Sequence, residues 1–389
     1  MSRRASRSYV TLNLLCVYVL SNLPTPLYVV YQKELGFSQL VLTLIYASYV
    51  VGSITAMFFL GRLSDQLGRR PVVAVATACA AASAVLFLVA TSTVWLFAAR
   101  IVSGLAIALV TGASAAWLLE LDDRGDRGAA TRLAIIGNLL GLGVGPILGG
   151  TLAAWAPWPL RLSYLVFLAL LVPTAVLAMR ADETVGERTR LRGLSLAPRL
   201  GVPREIRKQF AAPALGAFAM FAVLGFYSAL LPSIVRDALG IRSIAVAGAI
   251  VGETFIAGTI TVAIAQRMAV KRWLVVALAL VVPSLALLVI AQLAGSLAIL
   301  VIASAVTGVA TGIGYRTCLQ IVNEIAPDDR RSEVVSAFVI VCYISISIPV
   351  IGVALLAQLA GAATAAVTFA GLVAALDIAA LVIELELAH

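Results

Sequence analysis

The sequence predicts an all-α membrane protein with twelve transmembrane helices in two pseudo-symmetric six-helix bundles. Three observations predict it. Apolar residues fill 62% of the 389 positions and charged residues 12%, about half the charged share of an ordinary soluble domain. The apolar residues fall in blocks of roughly 20, the length that crosses a bilayer. The order of glycines, prolines and charges in the first half also recurs in the second. Such repetition marks a carrier of two similar bundles, with its site between them near mid-membrane.

The blocks cover 9–31, 39–60, 71–90, 95–119, 131–154, 160–179, 210–232, 243–266, 273–292, 296–318, 334–357 and 362–384. The first follows Arg3, Arg4 and Arg7. Its length, Pro24 and Pro26, and the lack of a small-residue cleavage site mark a retained helix rather than a leader. The hydrophilic stretch after Arg180 separates an N-terminal bundle (1–180) from a C-terminal bundle (210–389), with 181–209 a cytoplasmic linker. At an offset near 204, Gly36 answers Gly240, Ser103-Gly104 answers Thr307-Gly308, and Glu120 answers Glu324. Arg127, Pro146 and Gly149 match Arg330, Pro349 and Gly352 in the same order.

The net charge of +9 describes topology, not a nucleic-acid partner. Arg3, Arg4, Arg7, Arg62, Arg69, Arg70, Arg124, Arg127, Arg132, the run from Arg180 to Lys208, Arg267, Lys271, Arg272, Arg330 and Arg331 alternate with segments holding only Lys33, Arg161, Arg236 and Arg242. The positive-inside rule then places both termini in the cytoplasm of a multi-pass cell-membrane protein. Cys16, Cys79, Cys318 and Cys342 lie inside spans without metal-like spacing, and the single histidine is His389. No nucleophile–base pair, metal cluster or phosphate loop is present, so neither an enzyme nor a cofactor is expected. The partners expected are the lipid bilayer, a small-molecule substrate and protons, with the chain a monomer.

Three groups of residues carry the functional expectations. The loop Gly61-Arg62-Leu63-Ser64-Asp65-Gln66-Leu67-Gly68-Arg69-Arg70-Pro71 sets one acid among three arginines. It reads as a packed turn in which Asp65 caps a neighbouring helix N-terminus, or else as a solvated basic loop. Glu120 and Glu324 precede Arg127 and Arg330 and are placed to join ion pairs with Arg69, Arg70, Arg127 or Arg330. Exposed pairs are worth under about 1 kcal/mol, which suits a latch that must open, although a structural cluster fits equally. In the fifth span, Gly137, Gly141, Gly145 and Gly149 stand four apart beside Pro146 and Gly150. Each glycine costs about 1 kcal/mol against alanine in a helix. That cost is offset where helices pack backbone to backbone, so the stripe is expected to form a close, movable seam.

These motifs resemble the major facilitator superfamily. Gly61-x-Leu63-Ser64-Asp65-x-x-Gly68-Arg69-Arg70 is similar to its loop after the second helix. Arg100-x-x-Ser103-Gly104 is similar to its fourth-helix motif, with Ser103 where glutamine is common. Gly141-x-x-x-Gly145-Pro146-x-x-Gly149-Gly150 resembles the fifth-helix motif of its drug:proton antiporters. The resemblance implies the major facilitator fold, a loop that latches onto the other half in the outward-facing state, and a fifth helix packed on the eighth, where Gly248 and Gly252 stand four apart. The second-half loop at 265–273 has no acid, so such a latch would rest on Asp65 alone.

Embedded polar groups supply the transport chemistry. Glu253 lies ten residues into the eighth span with no basic residue near it in sequence. A bare charge at that depth costs about 3 kcal/mol, so the carboxyl must pair or carry a proton, or line a watery cavity. Arg100 either pairs with Glu253 or holds an anionic substrate, and Arg316 with Asp377 forms a second, structural pair. Asn22, Tyr28, Asn138 and Tyr227, with Arg100 and Glu253, offer polar handles in an apolar surround, as an amphipathic organic substrate requires. The alternative is that several only pack helices. Together these readings give a proton-coupled exporter of a small amphipathic molecule, with Glu253 the coupling acid. The alternatives are a proton-coupled importer of a metabolite or nutrient and a non-transporting membrane sensor.

Overall fold

Pro24 and Pro26 have no amide hydrogen, and the first span breaks where they stand. In the computed structural model, which describes residues 2–122, 126–186, 201–264 and 270–388, α1 (Arg3–Asn22) ends there. The chain turns through 23–27 and resumes as α2 (Tyr28–Leu35). The second span is α3 (Gln39–Ala47) and α4 (Tyr49–Leu60), followed by the short α5 (Leu63–Leu67). Then come α6 (Arg69–Leu88), α7 (Thr93–Glu120), α8 (Arg127–Trp155) and α9 (Pro159–Arg180). The second half holds α10 (Arg207–Asp237), α11 (Ile244–Ile264), α12 (Val270–Ala294), α13 (Leu297–Ile325), α14 (Arg331–Ala360) and α15 (Ala362–Ala388). Each predicted block thus has its helix. Among the described residues, eleven helices are long and apolar enough to cross a membrane. The exception is α1, diluted by Arg7, Asn13, Ser21 and Asn22.

The helices form two units. One is Met1–Phe37 with Ser48–Pro198, and the other is Ser38–Ala47 with Arg199–His389. Within the second unit α3 packs with α10 and α14. The cause is local. Ser233 Oγ donates to Gln39 Oε1 at 3.0 Å and Ser347 Oγ to the Ala47 carbonyl at 3.5 Å, while the helix is interrupted at Ser48.

In the first unit the glycine stripe of α8 faces α1. A Cβ on Gly141 would lie 2.6 Å from the Leu15 carbonyl oxygen, on Gly145 2.4 Å from that of Val19, and on Gly149 2.4 Å from that of Leu23. Asn22 Nδ2 ties the same seam by donating to the Leu142 carbonyl at 2.8 Å. Within its own unit the stripe is matched by the first span, a partner its spacing did not name. A stripe defines a bare face, and here that face is filled by the backbone of α1. Gly248 and Gly252 are buried in α11, whose close approach instead involves Gly258 against Gly308 and Gly312 of α13.

Candidate functional site

The second unit builds a polar site from three helices. Glu253, half-buried on α11, accepts a hydrogen bond from Ser304 Oγ of α13 at 2.7 Å. The Ser304 oxygen also lies 2.8 Å from the Val301 carbonyl in its own helix. Tyr227 of α10 is fully buried, with its hydroxyl beside Thr307 and within electrostatic reach of Glu253. Among the described residues, neither the Tyr227 nor the Thr307 hydroxyl has a well-aligned hydrogen bond. Such groups are expensive to bury unless something completes them. The α11–α13 joint that holds the site is tight, since a Cβ on Gly308 would lie 2.1 Å from the Thr254 carbonyl oxygen.

The first unit repeats this joint with different chemistry. Gly104 of α7 meets the Tyr49 carbonyl of α4 as Gly308 meets that of Thr254, and Ser53 Oγ donates to the Gly104 carbonyl at 3.1 Å. Four residues before the glycine, Arg100 stands in the first unit where Ser304 stands in the second, while Tyr49 takes the place of Thr254, the residue after Glu253. Arg100 is 2% exposed, lies 4.5 Å above the Tyr49 ring, and donates to the Ser21 carbonyl at 2.7 Å. Ser21 needs that donor because the Thr25 amide turns to the Asn22 carbonyl. Arg100 thus caps the broken end of α1, where helix carbonyls lack partners and the dipole favours a cation.

The other handles divide between the units. Asn22 is committed twice, to Leu142 and, through its Oδ1, to Thr25 Oγ1 at 2.8 Å. Tyr28 is buried near the end of the same broken span, and Asn138 is half-exposed on α8. Within the second unit the structure brings Tyr227 to Glu253. The expected Arg316–Asp377 pair is not formed. Asp377 is 1% exposed and neither of its carboxylate oxygens has a hydrogen-bond partner among the described residues. Its electrostatic neighbour on α13 is Cys318. Arg316 stands two residues before Cys318 and so points to another side of that helix.

At the arginine-rich loop, Arg69 forks onto Glu120, Nη2 to Oε1 at 2.7 Å and Nε to Oε2 at 3.2 Å, a bidentate arrangement. It also pairs with Asp65 and donates to Ser64 Oγ at 2.7 Å. Asp65 is therefore not a helix cap, as expected, because Arg69 one turn on takes its carboxylate. The cap on α6 is Glu183, which follows the sixth span and accepts from the Arg69 and Arg70 amides at 3.0 and 3.1 Å. Gly68 makes the turn possible with φ of 107°. In the second unit, Glu324 accepts from Gln320 at 3.0 Å, and Arg330 pairs with Glu333 at 3.0 Å. The side chain of Arg127 lies outside the described residues. Glu183 left no mark beyond an acid just past a span. Removing it by Glu183→Ala is expected to lower stability by about 1 kcal/mol, the usual worth of a helix cap, with Glu183→Gln intermediate; an unchanged melting temperature in detergent would refute this.

Helices of this length and composition, in two repeated units, define a multi-pass membrane protein. The chain belongs to the Major Facilitator Superfamily, whose family model matches residues 10–350. It is 32% identical over 109 residues to the Major facilitator-type transporter psiT2 of Psilocybe cyanescens, a match spanning 28% of this chain and 20% of that protein. Among solved structures, its fold is similar to the human organic anion transporter MFSD10 (TETRAN), with a TM-score of 0.70, 16% identity, and 99% of this chain and 100% of that one covered. A mutant of the nucleoside transporter NupG gives a TM-score of 0.74 at 14% identity over 97% and 99%. A bacterial homologue of the human lysosomal transporter Spinster gives 0.72 at 15% over 99% and 98%.

Proposed function

We propose that the chain is a proton-coupled secondary transporter of the cell membrane that exports a small amphipathic organic molecule by alternating access, with both termini cytoplasmic. The observation that carries this reading is the Glu253–Ser304 contact. Ser304 has one proton and two neighbouring acceptors. When Glu253 is ionised, the hydroxyl donates to the carboxylate. When Glu253 is protonated, the acid donates to Ser304 Oγ, which then turns its own proton to the Val301 carbonyl. One geometry therefore serves both protonation states, as a carrier that loads and unloads a proton requires. Tyr227 and Thr307 offer unfilled hydrogen-bonding capacity beside it for a polar group of the substrate.

The energetics are adequate. One proton moved through 100 mV supplies about 2.3 kcal/mol, enough for a roughly 50-fold gradient of a neutral substrate. The test is transport in inside-out vesicles, where acidifying the lumen should drive substrate in. Uptake driven instead by an alkaline lumen would make the chain an importer.

Asp65, Arg69 and Glu120 are proposed to tune the conformational cycle. Asp65→Asn leaves Arg69 its fork on Glu120 but removes one anion, and should slow turnover severalfold while substrate affinity changes less than twofold. Equal rates for the variant and wild type in a counterflow assay would reduce the loop to a topological marker.

A further inference from the structure

A groove of about 440 Å³ runs along the start of α1 beside α8, with Arg4 and Arg7 at one end and Leu12, Leu15 and Leu133 along its length. We infer that this groove binds an anionic phospholipid, its phosphate on Arg4 and one acyl chain on the leucines. This surface is apart from the polar site around Glu253 and needs no assumption about the substrate.

Charge, polarity and length all favour that occupant. Arg7 is committed to Asp122, whose second oxygen also accepts from the Asp126 amide. Asp126 in turn caps α8 through the Ala129 amide at 2.9 Å. Asp122 and Asp126 are thus engaged, and Asp182 accepts from Ser6 Oγ at 3.3 Å. Arg4 is exposed and, among the described residues, has no acidic partner, so one guanidinium without an ion pair stands at the groove's mouth. Deeper in, polarity is withdrawn. Ser8 Oγ turns back to the Arg4 carbonyl at 3.1 Å and Thr11 Oγ1 to that of Arg7 at 2.9 Å, leaving methyl and methylene surface. From Arg4 to Leu15 the helix rises roughly 16 Å, about half of the ~30 Å hydrocarbon thickness. A cationic mouth on an apolar channel one leaflet deep is complementary to a phosphodiester carrying a fatty chain. A small soluble anion would use only the mouth.

The test is native mass spectrometry of the delipidated full-length protein, titrated with phosphatidylglycerol or phosphatidylcholine of identical chains. Phosphatidylglycerol should bind saturably and at least fivefold more tightly than phosphatidylcholine. Arg4→Gln should weaken it about fivefold, equivalent to the ~1 kcal/mol of one basic residue at an anionic surface. Arg3→Gln, next along the helix but not lining the groove, should change it less than twofold. A 100-fold excess of inorganic phosphate should leave the bound lipid in place. Equal binding of the two lipids, or equal losses in the Arg3 and Arg4 variants, would overturn the proposal, the latter by showing diffuse attraction to a basic terminus. Displacement by inorganic phosphate would overturn it in favour of a simple anion site.

Discussion

Glu253→Gln is expected to abolish accumulation driven by a proton gradient while leaving a folded protein in the membrane. Glutamine matches glutamate in size and can still bond to Ser304, so the α11–α13 joint should survive. What it cannot do is exchange a proton. In proteoliposomes with a defined pH difference, the substrate gradient should fall from as much as about 50-fold to unity, because the roughly 2.3 kcal/mol carried per proton at 100 mV is no longer linked to substrate movement. Counterflow between equal substrate pools needs no net proton movement and should persist. If the variant still concentrates substrate in response to pH, Glu253 is not the coupling group. Failure of both assays with a normal melting curve would instead assign it to substrate binding.

The second large effect is expected at Gly145. A methyl group there would sit 2.4 Å from the Val19 carbonyl oxygen and 2.9 Å from the Leu23 amide nitrogen, both backbone atoms that cannot step aside. Gly145→Ala should therefore cost about 1–3 kcal/mol, the range for overpacking, and Gly145→Leu should prevent the first unit from folding. Gly112 is the control. A Cβ there meets nothing within 4 Å, so Gly112→Ala should be neutral or stabilising by up to about 1 kcal/mol through helix propensity. Thermal melts followed by size-exclusion chromatography would separate these cases. Equal melting temperatures for Gly145→Ala and wild type would mean that the α1–α8 contact is looser than its geometry indicates.

What was legible in the sequence follows from which forces act locally. Hydrophobic blocks locate spans because the bilayer imposes length on each helix separately, and Pro24 and Pro26 announce a break because a missing amide acts on its own turn. Partner choice is different. The stripe from Gly137 to Gly149 showed a bare face, yet nothing in its spacing says whose backbone fills it, and the answer was α1. Asp65 looked like a cap because it is the one acid in its loop, whereas the acid that caps α6 is Glu183, which reaches that helix from beyond the sixth span. Arg316 and Asp377 looked paired because charges in apolar spans need neutralising, but the helical positions direct them differently. Ser304 went unnoticed, and Thr307 was read only as part of the repeat, because small hydroxyls in a membrane helix are ordinary. The repeat offered the one usable signal. Arg100, displaced by the repeat length, lands on Ser304, the hydroxyl that meets Glu253.

That correspondence has a consequence for how such a chain diverges. Tandem duplication leaves two copies of one mechanical hinge-pin, and a pin has to be strong only once in each copy. The side chains flanking it are then free to specialise. One copy has spent its freedom on a guanidinium whose charge does not vary with pH, sealing a fractured helix. The other copy holds the Glu253 carboxyl, which we propose changes charge during transport, so two copies of one backbone joint carry different electrostatics.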